Sequence, residues 1–254
     1  MRVATLIVAC LASSVSYAFD LIPYTATYQF NLNSQLTGTA TRVLTKQADN
    51  HYRYQFNATA MIANANEISD FSFDGKKVQS IHYENTKQIL FKTKKATVDF
   101  DWAKNQANAQ RNGESLQYAL TESSTLDPLN LEIQIRQDLT KKSELKDKYS
   151  LGDAKGLSPL SFEMKGSEKI TTPYGEIDTI KVNRVHQSSD RTTQFWLAKS
   201  LNYLPVKVVQ IDDGAIYTIE LQSYQEAQTT IEQPKSTTPY VPEANALPPS
   251  RKPE

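Results

Sequence analysis

Residues 191–224, RTTQFWLAKSLNYLPVKVVQIDDGAIYTIELQSY, decide the fold. Residues 206–211 and 216–224 are rich in β-branched and aromatic side chains and flank Asp212-Asp213-Gly214. An Asp-Gly pair supplies the positive-φ positions of a type I′ turn, whose twist matches that of two antiparallel strands. After the turn Tyr217, Ile219 and Leu221 share one face while Thr218, Glu220 and Gln222 take the other. A period of two with one apolar face is a half-buried antiparallel strand. Upstream, Phe195 and Leu197 alternate with Gln194 and Trp196, and Asn202 marks a short connection.

The same grammar extends towards both ends. Tyr24, Ala26, Tyr28, Phe30 and Leu32 alternate through residues 24–33, residues 38–45 follow a polar break, and Tyr52, Tyr54 and Phe56 alternate through 51–60. Strand-like runs recur around Phe71 and Phe73, from Val78 to Tyr83, and at residues 89–94, 96–102, 106–111, 114–120, 160–164, 166–172 and 177–185. Gly75, Gly113, Gly175 and Gly214 punctuate them, three behind Asp or Asn. Glycine at corners rather than inside elements is what a β-meander needs. The sequence therefore predicts a mainly β protein, an antiparallel meander forming a curved sheet or half-open barrel. One segment differs. Asp127 as N-cap and Pro128 at the first helical position introduce residues 129–142, with Leu131, Ile135 and Leu139 at i, i+4 and i+8. Lys141 and Lys142 suit a helix C-terminus, so one amphipathic helix is expected to pack on the sheet.

Three parts are expected: an export signal at 1–18, a single β-rich domain at 19–225 and a disordered tail at 226–254. Arg2 is the only charge before Asp20, residues 3–15 are mostly Ala, Leu, Val and Ile, and Ser16-Tyr17-Ala18 suits cleavage after Ala18. That apolar run is shorter than the roughly 20 residues a membrane helix needs, and no later stretch reaches that length. A periplasmic location without a transmembrane segment after cleavage follows as the expectation. Ile7-Val8-Ala9-Cys10 superficially matches a lipoprotein cleavage box, but the apolar run continues past Cys10. Cys10 is the single cysteine, so cleavage after Ala18 leaves no thiol for a disulfide, a nucleophile or a metal. In the tail, Pro234, Pro239, Pro242, Pro248, Pro249 and Pro253 stand among Thr, Ser, Glu and Lys, a composition that cannot bury enough apolar surface to order itself.

The whole chain carries 28 basic and 28 acidic residues, a balance with no electrostatic footprint for nucleic acid. No catalytic, cofactor or metal motif stands out. His51, His82 and His186 lie apart, and neither a phosphate loop nor a Ser elbow is present. Asp99 and Asp101 share a strand face and resemble a hydrolase pair in spacing, although the solvated face of a strand is the better account of them. Arg53, Arg184 and Arg191 are the candidates for anchoring a carboxylate or phosphate head group, with cross-strand ion pairs as the plainer role. Trp102 and Trp196 are candidates to line a ligand cleft, or to pack in the core.

Residues 174–186, YGEIDTIKVNRVH, followed by 191–224 with Arg191, a Trp196 before Leu197-Ala198, Leu204-Pro205 and a last strand ending near Tyr224, resemble the bacterial family named domain of unknown function 3108. The resemblance implies an exported β-rich envelope protein and transfers no catalytic residue. In outline the chain is also similar to periplasmic lipoprotein carriers of the LolA type, an open antiparallel half-barrel with a helical lid. The expected function is non-enzymatic binding of a lipid or a lipidated partner in a concave sheet. The alternatives are an envelope interaction or assembly protein working through a sheet edge or the tail, and a hydrolase. Oligomeric state is not encoded in any of these patterns.

Overall fold

The computed structural model describes residues 21–120 and 124–227. The expected export signal and nearly all of the expected tail lie outside these residues. Eight strands come first: β1 (Tyr24–Leu32), β2 (Leu36–Ala48), β3 (His51–Ala60), β4 (Ala63–Phe73), β5 (Val78–Ile89), β6 (Lys92–Asp101), β7 (Gln106–Arg111) and β8 (Glu114–Ala119). One helix, α1 (Leu131–Lys142), separates them from β9 (Tyr149–Asp153), β10 (Gly156–Leu160), β11 (Phe162–Thr172), β12 (Gly175–Arg184), β13 (Arg191–Ala198), β14 (Leu204–Asp212) and β15 (Ala215–Glu226). Thirteen strands form one antiparallel sheet in the order β11-β12-β13-β14-β15-β1-β2-β3-β4-β5-β6-β7-β8, while β9 and β10 make a separate hairpin.

Neighbours in the sheet are neighbours in sequence everywhere but at one seam. There β15 lies antiparallel to β1, from Tyr24↔Glu226 to Leu32↔Tyr217, and welds the two meanders together. The hairpin at Asp213-Gly214 has φ of 50° and 77°, and that at Asn112-Gly113 has φ of 49° and 93°, the two positive values a type I′ turn demands. β8 and β11 end the sheet without meeting, so it is curved but not closed into a barrel.

Alternation places Tyr24, Ala26, Tyr28, Tyr54, Phe71, Val98 and Leu221 on the concave side, all but excluded from solvent. Against this side lies α1. Its contacts gather at the end of the sheet that carries the β4–β5 and β13–β14 connections. The Arg136 Nε donates to the Asn202 carbonyl at 2.9 Å, and the Lys141 Nζ to the Gly75 carbonyl at 2.6 Å. The helix is embedded more deeply than a one-faced amphipath: Gln134, Arg136, Gln137 and Asp138 are buried along with Ile133, Ile135 and Leu139. Sequence reading sets its start at Pro128 with Asp127 as cap, whereas regular helix begins at Leu131. Asp127 still does the capping of the turn that precedes it, because its Oδ1 accepts the N–H groups of Leu129 and Asn130, each at 2.9 Å.

Asp127 is also the knot that ties the helix start to the sheet. Its Oδ2 accepts the Ser69 hydroxyl of β4 at 2.7 Å, and its N–H donates to the Ser80 hydroxyl of β5 at 2.9 Å. Burial pushes its carboxyl up to about 7, against the pull of hydrogen bonds from Asn130, Ser69 and Leu129. A folded pKa above the unfolded value makes the contribution of this group to stability complete below the unfolded pKa and lost as pH rises through the folded one. Urea unfolding at pH 5 and pH 8 should therefore show wild type losing about 3 kcal/mol more than Asp127→Asn over that interval, at 1.36 kcal/mol per pKa unit. Parallel pH profiles for the two proteins would refute the assignment.

Candidate functional site

Beyond the helix, the concave side stays open. A cavity of about 320 Å³ runs between α1 and the sheet, walled by Phe56, Leu131, Phe162, Phe195, Val208 and Ile219 among others. A second, of about 410 Å³, adjoins it through Phe56, Glu67, Gln210 and Ile219 and extends to the far end of the sheet. No helix residue lines that second part. Its walls include Phe30, Tyr217, Ile89 and four small residues, Ala58, Ala60, Ala63 and Ala65, of the β3–β4 hairpin, together with Lys87 and Asp212. Small side chains on the inner face of facing strands leave room that leucines would fill. The two parts form one trough, floored by strands, closed at one end by α1 and open at the other.

In the part next to the helix, charges gather at two places. Where the helix meets the sheet, Glu132 lies between two arginines. Arg42 of β2 forms a close ion pair with it, and Arg136 stands 3.7 Å away one helical turn on. The Tyr54 hydroxyl donates to Glu132 at 2.8 Å, the Tyr24 hydroxyl donates to Tyr54 at 2.9 Å, and the Arg136 Nη1 donates to Tyr24 at 2.9 Å. Burial and the neighbouring arginine and tyrosine charges act on both phenols of the inner wall, and burial dominates, holding Tyr24 and Tyr28 well above the ordinary phenol range. Both arginines remain cations.

The second place is the wall opposite, where Arg184, His186 and Arg191 converge on the trough. Arg191 is satisfied by Asp212 across β13 and β14, at 2.7 and 2.9 Å. Arg184 makes no ion pair among the described residues, and its buried Nε has no hydrogen-bond partner. Desolvation, then the repulsion of Arg191, pulls the Arg184 guanidinium below its usual range. His186 is lowered by burial and by the same two arginines, and its Nε2 lies 3.0 Å from the Thr193 hydroxyl. Asp153 pulls the other way more weakly, so among the described residues Arg184 is a half-buried cation beside a second cation with no carboxylate in ion-pair contact.

The other candidates read from sequence sit elsewhere. Arg53 lies on the convex face in a two-pronged pair with Asp70, at 2.7 and 2.9 Å. Trp196, also convex, donates to Glu168 and lies under Lys181 and Lys207. Trp102 stacks on Phe100 and donates to the Ser80 carbonyl at 2.7 Å, near the helix end of the sheet. Asp99 faces His82 at 2.6 Å and Asp101 binds Lys104 at 2.8 Å, so the two carboxylates serve separate surface pairs. Four residues of the trough escaped the sequence reading: Arg42, Glu67, Glu132 and Arg136. The signal was there, since Arg42 is in phase with Ala40 and Leu44, and Glu67 with Ala65 and Phe71. Charges on an apolar strand face are the pattern to look for.

A curved antiparallel sheet, one embedded helix and a trough walled in part by Arg184, which makes no ion pair among the described residues, define a β-barrel-like protein with a ligand-sized interior. The profile of a family described as protein of unknown function (DUF3108) matches residues 23–222, and the chain belongs to that family. Among solved structures, the crystal structure of a β-barrel-like protein of domain of unknown function DUF1849 from Brucella abortus is similar to it with a TM-score of 0.56. The identity is 11%, over 82% of this chain and 99% of that chain, a likeness of fold alone. No curated protein matches.

The charged belt carries its own prediction. Glu132→Gln takes from Arg42 and Arg136 the carboxylate they pair with, and breaking a buried pair of this kind costs about 3–5 kcal/mol. Chemical denaturation should show that loss, and an unchanged midpoint would mean that solvent reaches the belt.

Proposed function

We propose that this protein is an exported, non-enzymatic binder of a lipid acyl chain, which lies in the trough with its carboxylate or phosphate at Arg184. The observation that supports this most directly is the largely apolar trough with Arg184 in its wall, making no ion pair among the described residues. Both of its parts fall within the range of about 300–1,000 Å³ usual for small-molecule sites, and such sites are mostly apolar with a few placed polar groups. The arrangement favours an amphiphile over a fully apolar ligand, because a head group relieves the repulsion between Arg184 and Arg191. Export rests on residues 1–18, and the periplasm is the proposed place of action. The reading as an assembly protein acting through a sheet edge draws support from the open strand β11, yet Glu163, Lys165, Glu168 and Lys169 stud it, a device that discourages strand addition.

Organic extraction of the purified full-length protein followed by mass spectrometry should recover a stoichiometric acyl lipid. In a displacement assay with a fluorescent polyunsaturated fatty acid, Arg184→Gln should weaken binding about tenfold or more, the worth of a hydrogen bond to a charged group, and Ala58→Trp should abolish it. Protein free of lipid that also fails to bind the fatty acid would sink the reading.

A further inference from the structure

The largest exposed apolar side chains cluster at one place. Met61 and Ile62 form the β3–β4 turn, Ile89 ends β5, and Leu90 and Phe91 form the β5–β6 turn. Phe91 is 99% exposed and Met61 89%. The two tips are held side by side, because the Leu90 N–H donates to the Ile62 carbonyl at 2.8 Å. Leu90 reaches this position with φ of 53°, a left-handed backbone that a leucine rarely adopts. The turn thus displays an apolar residue where Asn or Gly would be easier. Apolar patches of this kind on a folded surface mark a place of contact.

What they contact is indicated by charge. Residues 85–97, NTKQILFKTKKAT, contain four lysines and no acid, and residues 57–66 contain no charge except the terminal neighbour Glu67 beyond them. Lys87 and Lys94 sit directly opposite each other in the β5–β6 register, and Lys92 is opposite Ile89. Facing like charges destabilise a strand pair. Yet Lys87, Lys92 and Lys94 make no ion pair among the described residues; only Lys95 does, with Glu84 at 3.2 Å. Apolar tips ringed by unpaired lysines complement an interface that is oily within and anionic above it.

We infer that the paired tips 61–62 and 89–91 dock this protein on an anionic lipid bilayer, with Met61, Ile62, Leu90 and Phe91 entering the acyl boundary and Lys87, Lys92 and Lys94 meeting the phosphates. The docking surface lies at the mouth of the trough, since Ala60, Ala63, Lys87 and Ile89 line both. It is independent of what the trough holds. The lysines make attachment weaken with salt.

The full-length protein should co-sediment with vesicles of equal parts phosphatidylglycerol and phosphatidylcholine, and little with phosphatidylcholine alone. Phe91→Trp should shift its emission to the blue on adding the mixed vesicles. Each of Lys87→Gln, Lys92→Gln and Lys94→Gln should lower the partition coefficient about fivefold, from the value of one lysine near an anionic surface. Phe91→Asp, exposed enough to leave folding intact by circular dichroism, should abolish pelleting. Ala58→Trp, which plugs the trough, should pellet as wild type, so loss of lipid binding and loss of docking are told apart. The inference fails if the protein does not pellet at low salt, as when the tips serve a protein partner. It fails equally if the Phe91→Trp emission stays put while pelleting persists, or if Ala58→Trp abolishes pelleting.

Discussion

The structure depends on a mismatch of lengths. A helix of twelve residues is about 18 Å long, whereas the strands that face it, of nine to thirteen residues, run about 30–43 Å. One helix therefore covers one end of the concave surface and no more. The rest is largely apolar and curved inwards, and no other α-helix among the described residues covers it. Its position is fixed rather than sliding, because Glu132 is held between Arg42 and Arg136 and Asp127 is tied to Ser69 and Ser80. Breaking a buried charged contact is costly, so the helix cannot slip along the trough to fill it.

The remaining features follow from where the helix stops. At the helix end the inner face carries large side chains, Tyr24, Tyr28, Tyr54 and Phe71, packed to exclusion of solvent. At the far end it carries alanines, and the hairpins beyond them project apolar side chains outwards. Small residues inside and large ones at the rim are the reverse of what a self-contained core needs. The arrangement suits a surface completed by something that is not part of the described residues, and Arg184 in its wall makes no ion pair among them.

Much of the fold is legible in the sequence because its cues are local. Asp213-Gly214 and Asn112-Gly113 specify type I′ hairpins in their own right, and the alternation of Tyr52, Tyr54 and Phe56 gives the period of two at once. The seam between β1 and β15 is invisible by the same reasoning, since its partners lie at opposite ends of the chain and share no pattern. The first eight residues of β4, ANANEISD, include almost no strand-forming residues and are extended because they are paired on both sides. The turn at Leu90-Phe91 hides inside the apparent strand 89–94, having neither Gly nor Asn to betray it. The short hairpin of β9 and β10, rich in Gly, Ser and Pro, gives no alternation to read. Of the head-group candidates read from sequence, Arg184 and Arg191 line the trough. Arg53 and Trp196 seemed equivalent only because the sequence does not state which face of a sheet curves inwards.

The central claim is that the trough beyond the helix is an interior for a chain of methylenes while α1 stays where it is. The most direct test is nuclear Overhauser contact between oleate and methyl-labelled protein. The account predicts contacts from the oleate chain to Ala58, Ala65 and Ile219, with the resonances of Ile133 and Leu139 in the helix unmoved. Contacts confined to the outer face of the sheet, or a helix that shifts into the trough when the ligand is removed, would contradict it.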